Sequence, residues 1–296
     1  MNLPAGVDRP LSIPEIVDRS VTLAVRRWRT LLFLVLIEGV PIGILRVFVP
    51  ERPVALTLLW LVPDVIIVAL LSGAVVVAVA ATVAIPSAGT ALRTAAHRFG
   101  AVLGTLLLGW ALQVLIAALA FVVAVLIGLP FAIMGPIGAV AIGAGAALIG
   151  FLAVFPGVCL VSAIAVPIVV LERVSPWKGL TIAFRRAGNA GWRRAWLLGL
   201  SLFAVTLAPA LLIGFGMDTL IEVTGLSGLK FAEELLTDVV TLGFGIVVGT
   251  VMSIEMRVRY EGADLEAVLD HGEASAVSGH ANGAVSSAPT RSAGSE

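Results

Sequence analysis

Ser175–Leu200, SPWKGLTIAFRRAGNAGWRRAWLLGL, joins a basic amphipathic helix directly to the mouth of a hydrophobic span. On a wheel of about 100° per residue, Trp177, Leu180, Thr181, Phe184, Gly188 and Gly191 fall on one face and Lys178, Arg185, Arg186 and Asn189 on the other. A helix so divided is suited to lie in a membrane interface, its apolar side at the acyl boundary and its cations among headgroups. Ser175 stands where it can cap the first turn, and Pro176 fits the first helical position, where no amide hydrogen is needed. Beyond it, Trp192, Arg193, Arg194 and Trp196 supply ring and cation anchors at headgroup depth.

Composition agrees with a bilayer solvent. The 296-residue chain is 59% hydrophobic and 13% charged, with mean hydropathy +1.08, well beyond a soluble domain. The formal net charge is zero and the basic residues form no concentrated domain, so nothing points to nucleic acid. Cys159 is the chain's single cysteine, which excludes an intramolecular disulfide and a cysteine metal cluster; the reading for it is a small packing residue. The N-terminus lacks the apolar core of a cleaved signal peptide, so the first span is expected to direct insertion itself.

The same design occurs twice more. Ser12-Ile13-Pro14-Glu15 has capping-box spacing and opens a helix to about Trp28, with Ile13, Ile16, Val17, Ser20, Val21, Ala24 and Trp28 on one face. Span one, about Leu31–Val49, follows, and a turn at Pro50–Pro53 leads to span two, about Ala55–Ile85. Pro63 there allows an irregular start. The next copy, Pro86–Phe99, sets Ala88, Leu92, Ala95, Ala96 and Phe99 against Arg93, Thr94, His97 and Arg98, and leads into span three, about Ala101–Leu129.

The run from Ile137 to Leu171 has no ionisable side chain except Cys159, and at ~1.5 Å per residue it exceeds a bilayer core of ~30 Å. It is one helix kinked at Pro156-Gly157 or two short spans. Charge favours one: kept whole, it leaves only Arg46, Arg52 and Lys230 off the side that holds every other Lys and Arg from Arg9 to Arg291. By the positive-inside rule this gives six spans with both termini in the cytoplasm of a cell whose plasma membrane the chain crosses. Span five is about Ala195–Gly216, the acidic stretch from Met217 to Val240 is an outer loop whose second half leads as a short helix into span six, about Leu235–Ile254, and a further short helix runs to about Asp270. The tail 271–296 is small and polar and is expected to be disordered in the cytoplasm.

The expected fold is therefore all-α, a polytopic bundle of six transmembrane helices with three interfacial amphipathic helices. It forms one membrane domain, 1–270, in a threefold internal repeat with units of about 1–85, 86–171 and 172–270. Three passages carry a family resemblance: Arg9-Pro10-Leu11-Ser12-Ile13-Pro14-Glu15-Ile16-Val17-Asp18-Arg19, Val166-Pro167-Ile168-Val169-Val170-Leu171-Glu172, and Arg257-Val258-Arg259-Tyr260-Glu261-Gly262-Ala263-Asp264-Leu265. In order and spacing they resemble the glycerophosphoryl diester phosphodiesterase membrane-domain-like family of bacterial and archaeal integral membrane proteins. The resemblance implies a six-span helical domain whose biochemical role is mostly unassigned. Nothing here matches the soluble phosphodiesterase barrel to which some members are fused, so that activity does not transfer.

Ionisable groups at membrane depth are costly, which singles out Glu38, Arg46, Asp64 and Glu172, with the amide Gln113 beside them as a candidate. Glu38 and Arg46 lie about two turns apart near one face of span one. Glu38 reads either as a proton or substrate-cation site or as an interhelical tie, Asp64 and Arg46 as an outer pair, and Glu172 as a partner for interfacial arginines. His97, His271 and His280 make no metal spacing, and neither a nucleophile elbow nor a phosphate-binding loop occurs. The expectation is a protein without cofactor or catalysis, a membrane scaffold or lipid-interacting platform. Lys178, Arg185, Arg186, Arg193, Arg194, Arg26, Arg93 and Arg98 would meet anionic headgroups, and a protein partner would dock on the cytoplasmic side. The alternative is a permease for a lipid or small solute using Glu38 and Gln113. A polar path between spans would favour the permease and a dry interior the platform.

Overall fold

The computed structural model describes residues 11–48, 54–81, 86–226 and 228–261, and within them every regular element is a helix. In chain order these are α1 (Ile13–Arg26), α2 (Trp28–Phe48), α3 (Val54–Ala80), α4 (Ala88–Ala96), α5 (Phe99–Gly128), α6 (Pro136–Leu171), α7 (Pro176–Asn189), α8 (Trp192–Thr224) and α9 (Leu229–Asp238). A 3-10 segment, Leu129–Met134, joins α5 to α6, and a π-helical segment, Val239–Phe244, carries α9 into α10, residues 245–261. The first ten residues, the turn at 50–53 and the tail lie outside the described residues.

Five helical stretches are long and apolar enough to cross a bilayer: Leu61–Ala80, Phe99–Phe131, Val140–Glu172, Trp192–Thr224 and Leu229–Glu261. The described apolar part of α2, Trp28–Ile37, is shorter. Large apolar side chains stay on the outer faces of the long helices, among them Leu115, Phe121, Ile149, Leu212 and Phe215. Helices apolar all round need an apolar surrounding, and here that is lipid. Inside, Leu160, Ile164, Leu198, Met252 and Met256 pack α6, α8 and α10 together with Ile16 of α1, while Leu34, Leu71, Val75, Ala91 and Val247 join α2, α3, α4 and α10.

Where water gives no drive, helices associate through small residues that let backbones approach. At the α6–α8 crossing, a Cβ on Gly199 would lie 1.8 Å from the Pro156 carbonyl oxygen, and at α5–α6 one on Gly143 would lie 2.4 Å from that of Ala124. Pro156 has no N–H for the Leu152 carbonyl one turn back. The Trp196 indole of α8 donates to that carbonyl at 2.9 Å, so α6 passes its proline as one helix. Of the two forms the sequence allows for this run, the single helix is the one present. α3 likewise runs unbroken through Pro63, without an irregular turn.

Two expectations are corrected. Met217–Thr224, read as the start of an acidic outer loop, continues α8, and the chain turns only at Gly225, whose left-handed φ of 69° ends the helix. Asp218 and Glu222 are compatible with that last part of α8 because both are exposed. The second correction concerns α7, which has three faces rather than two. Gly179, Ala183, Ala187, Leu180 and Arg186 are buried, Trp177 and Phe184 are exposed on a separate apolar strip, and Lys178 and Arg185 are exposed beyond it. The small residues let α7 press onto α6, where a Cβ on Gly179 would meet Val169 at 2.2 Å. α7 thus serves a bundle contact and an outer surface at once. Ser175 occupies the N-cap position, but only its backbone carbonyl is used, accepting from Gly179 N–H at 2.8 Å. At α1 the Glu15 carboxylate does accept from Ser12, from its N–H at 2.7 Å and its hydroxyl at 2.8 Å.

Candidate functional site

Polar ties gather the starts of α2 and α8 and the ends of α3, α6 and α10 at one end of the bundle. Arg27, between α1 and α2, donates from Nη2 to the Ala81 carbonyl at 2.5 Å, capping the end of α3. Arg186 of α7 meets Glu172, just past α6, at 2.6 Å, a contact that is ionic rather than an aligned hydrogen bond. Glu255 of α10 is fully buried, and its Oε1 accepts from Arg194 Nη2 at 2.9 Å and from Arg259 Nε. Both arginines also donate to the Leu11 carbonyl, at 2.7 and 3.3 Å, which pins the chain ahead of α1 to α8 and α10.

This end carries the basic residues that the sequence assigned to headgroups, and it divides them. Arg26, Arg93, Lys178, Arg185 and Arg193 are exposed. Arg185 stands over the Tyr260 ring at 5.9 Å, within cation–π range. Arg186 and Arg194 instead meet carboxylates, Glu172 just past α6 and Glu255 inside α10. Arg98 lies between, half-buried on a cleft. The sequence missed Glu255 as a site. The available signal was its place four residues before Arg259, the (i, i+4) spacing at the end of an apolar run.

Of the intramembrane candidates, Gln113 lines a cavity of about 340 Å³ in the middle of the bundle, with Ser72, Thr105, Ser162, Thr206 and Thr241. The hydroxyls of Thr105, Thr206 and Thr241 donate to carbonyls one turn back at 2.7–2.8 Å, so their lone pairs are what they offer the cavity. Ser162 Oγ is buried with no hydrogen-bond partner. Thr241 reaches this place from the π-helical segment, a departure from α-geometry found frequently at functional sites. Asp64 sits on α3; Glu38 and Arg46 sit on α2, and their side chains lie outside those described. The structure therefore does not bring the five candidates to one place: Gln113 is central and Glu172 is at the basic end. Among the described residues no group of three or more His, Cys, Asp or Glu is placed to hold a metal ion. No family model, curated protein or solved structure matches the chain.

Proposed function

We propose that this is a six-span plasma-membrane protein, α2 being the sixth crossing, with both termini cytoplasmic. It works without catalysis, holding anionic lipid headgroups at its basic end and offering that surface to a protein partner. In this reading α1, α4 and α7 are the interfacial helices of a threefold repeat, in line with the family resemblance. The observation that carries it is the set of exposed cations at one end, Arg26, Arg93, Lys178, Arg185 and Arg193, none of which has an ion-pair partner among the described residues. Trp177, Phe184 and Trp192 stand exposed beside them, an arrangement suited to headgroup depth. Each cation near an anionic surface is worth up to about 1 kcal/mol, falling with salt. The triple variant K178Q/R185Q/R193Q is expected to insert normally and to lose several-fold in its preference for spin-labelled anionic over zwitterionic lipid. An unchanged preference in reconstituted bilayers would overturn the reading.

The central cavity favours a second reading, a permease for a lipid or small solute. Cys159 lines that cavity and is the chain's one cysteine, so it reports on the interior without engineering. A permease predicts that a membrane-impermeant cationic thiol reagent labels Cys159 from water and that Thr241→Trp, which fills the cavity, suppresses the labelling. A thiol inert to the impermeant reagent but reactive after unfolding marks a dry interior and removes this reading.

A further inference from the structure

A cleft of about 670 Å³ opens at the basic end where α3 ends, α4 meets α5, and α6 ends. Its polar lining is Thr94, His97, Arg98 and Arg173, and its apolar walls include Val77, Ala80, Val170 and Leu171. No carboxylate lines it, and neither Arg98, Arg173 nor His97 has an ion-pair partner among the described residues. Glu172, adjacent in sequence to Arg173, is committed to Arg186. Arg98, half-buried, and Arg173, exposed at the rim, thus bring two guanidinium groups to one cleft whose lining holds no acidic side chain, a lining suited to an anion.

Two further features belong to the same place. Arg173 has a left-handed φ of 55°, uncommon for a side-chain-bearing residue and the sort of strain that the surrounding structure must hold in place. Arg27, whose Nη2 is bonded to the Ala81 carbonyl on the cleft wall, keeps its Nη1 buried with no hydrogen-bond partner. The Thr94 hydroxyl donates to the Thr90 carbonyl at 2.9 Å, leaving its lone pairs free.

We infer that this cleft is a discrete site for one phosphate group, gripped by Arg98 and Arg173, with the apolar walls taking the start of a glycerol or acyl moiety. The volume falls in the ordinary range for a small-molecule site, about 300–1,000 Å³, and guanidinium pairs suit phosphate oxygens. The inference rests on the reading of the basic end as headgroup-binding, but it differs in kind. The exposed cations give a diffuse preference for charge, whereas the cleft gives one saturable site.

The test uses the full chain in nanodiscs of zwitterionic lipid with titrated phosphatidic acid, read by native mass spectrometry. Wild type is expected to retain one phosphatidic acid through mild delipidation, and R98Q/R173Q to weaken that binding by about tenfold or more. R98K/R173K, which keeps the charge, is expected to retain most of it and shows that loss of binding is not loss of fold. K178Q/R185Q/R193Q should reduce the diffuse anionic preference while keeping the single lipid. Equal retention by wild type and R98Q/R173Q would overturn the site even if the exposed triple behaves as proposed, whereas failure of the triple alone would overturn only the diffuse reading. Displacement by inorganic phosphate or sn-glycerol 3-phosphate from water identifies a soluble phosphoanion as the source, and resistance to both identifies the lipid.

Discussion

Gly199→Ala is expected to give a protein that loses its fold in detergent well below the wild-type temperature, or that fails to accumulate. The added Cβ would stand 1.8 Å from the Pro156 carbonyl oxygen and 2.4 Å from its carbon, and both belong to backbone, which cannot rotate aside. Overpacking a core costs about 1–3 kcal/mol and occasionally more, and a backbone-to-backbone clash belongs at the upper limit. Moving α8 off α6 also draws the Trp196 indole from the Leu152 carbonyl, which Pro156 leaves without a helical donor. A polar group stranded in apolar surroundings adds about 1–3 kcal/mol. Gly188→Ala on α7 is the control, since a Cβ there meets nothing within 4 Å. Thermal unfolding in one detergent compares the two. If Gly199→Ala matches wild type, the close crossing is not what holds α6 to α8.

The same crossing shows what the sequence made legible. The long helices could be read because lipid-facing helices are apolar all round, so their runs survive any error about neighbours: α5 and α6 start and stop within a few residues of the expected bounds. Charge asymmetry favoured one helix through Pro156, but what accommodates the proline could not be read, since it is a tryptophan of another helix. The end of α8 was misplaced because Asp218 and Glu222 read as loop, whereas helical geometry continues wherever such side chains reach an exposed face. For α7, a wheel has one dividing line and the helix has three surroundings, so Arg186 was grouped with Lys178 and Arg185 although it points to Glu172. The cavity was the least legible, for its lining hydroxyls come from five helical stretches and each taken alone reads as a satisfied helical Ser or Thr. Gln113 alone stood out, because an amide in an apolar run is conspicuous.

Glu255→Ala should be the most damaging substitution among the charged residues. Glu255 is buried completely while Arg194 and Arg259 remain 27% and 31% exposed, so one carboxylate neutralises two guanidinium groups at the junction of α8, α10 and the chain before α1. Removing one partner of a buried pair costs about 3–5 kcal/mol, mostly through the charges left behind. The partial exposure of both arginines places this case near the lower figure. Glu255→Gln keeps an acceptor and should lose less. The network is not worth its full Coulomb energy, because Glu255 Oε2 is buried without a partner, its carboxylate has left water and both guanidinium groups are partly desolvated. The combined variant E255M/R194M/R259M is accordingly expected to regain most of the stability that Glu255→Ala loses, while releasing the segment at Leu11 that both arginines hold by its carbonyl. Unfolding midpoints report the first effect, and limited proteolysis near residue 11 reports the second. A combined variant no more stable than Glu255→Ala would mean that the ion network contributes a net stabilisation of its own, and that the basic end is held by charge rather than by the packing of Met252, Met256 and Ile16 beneath it.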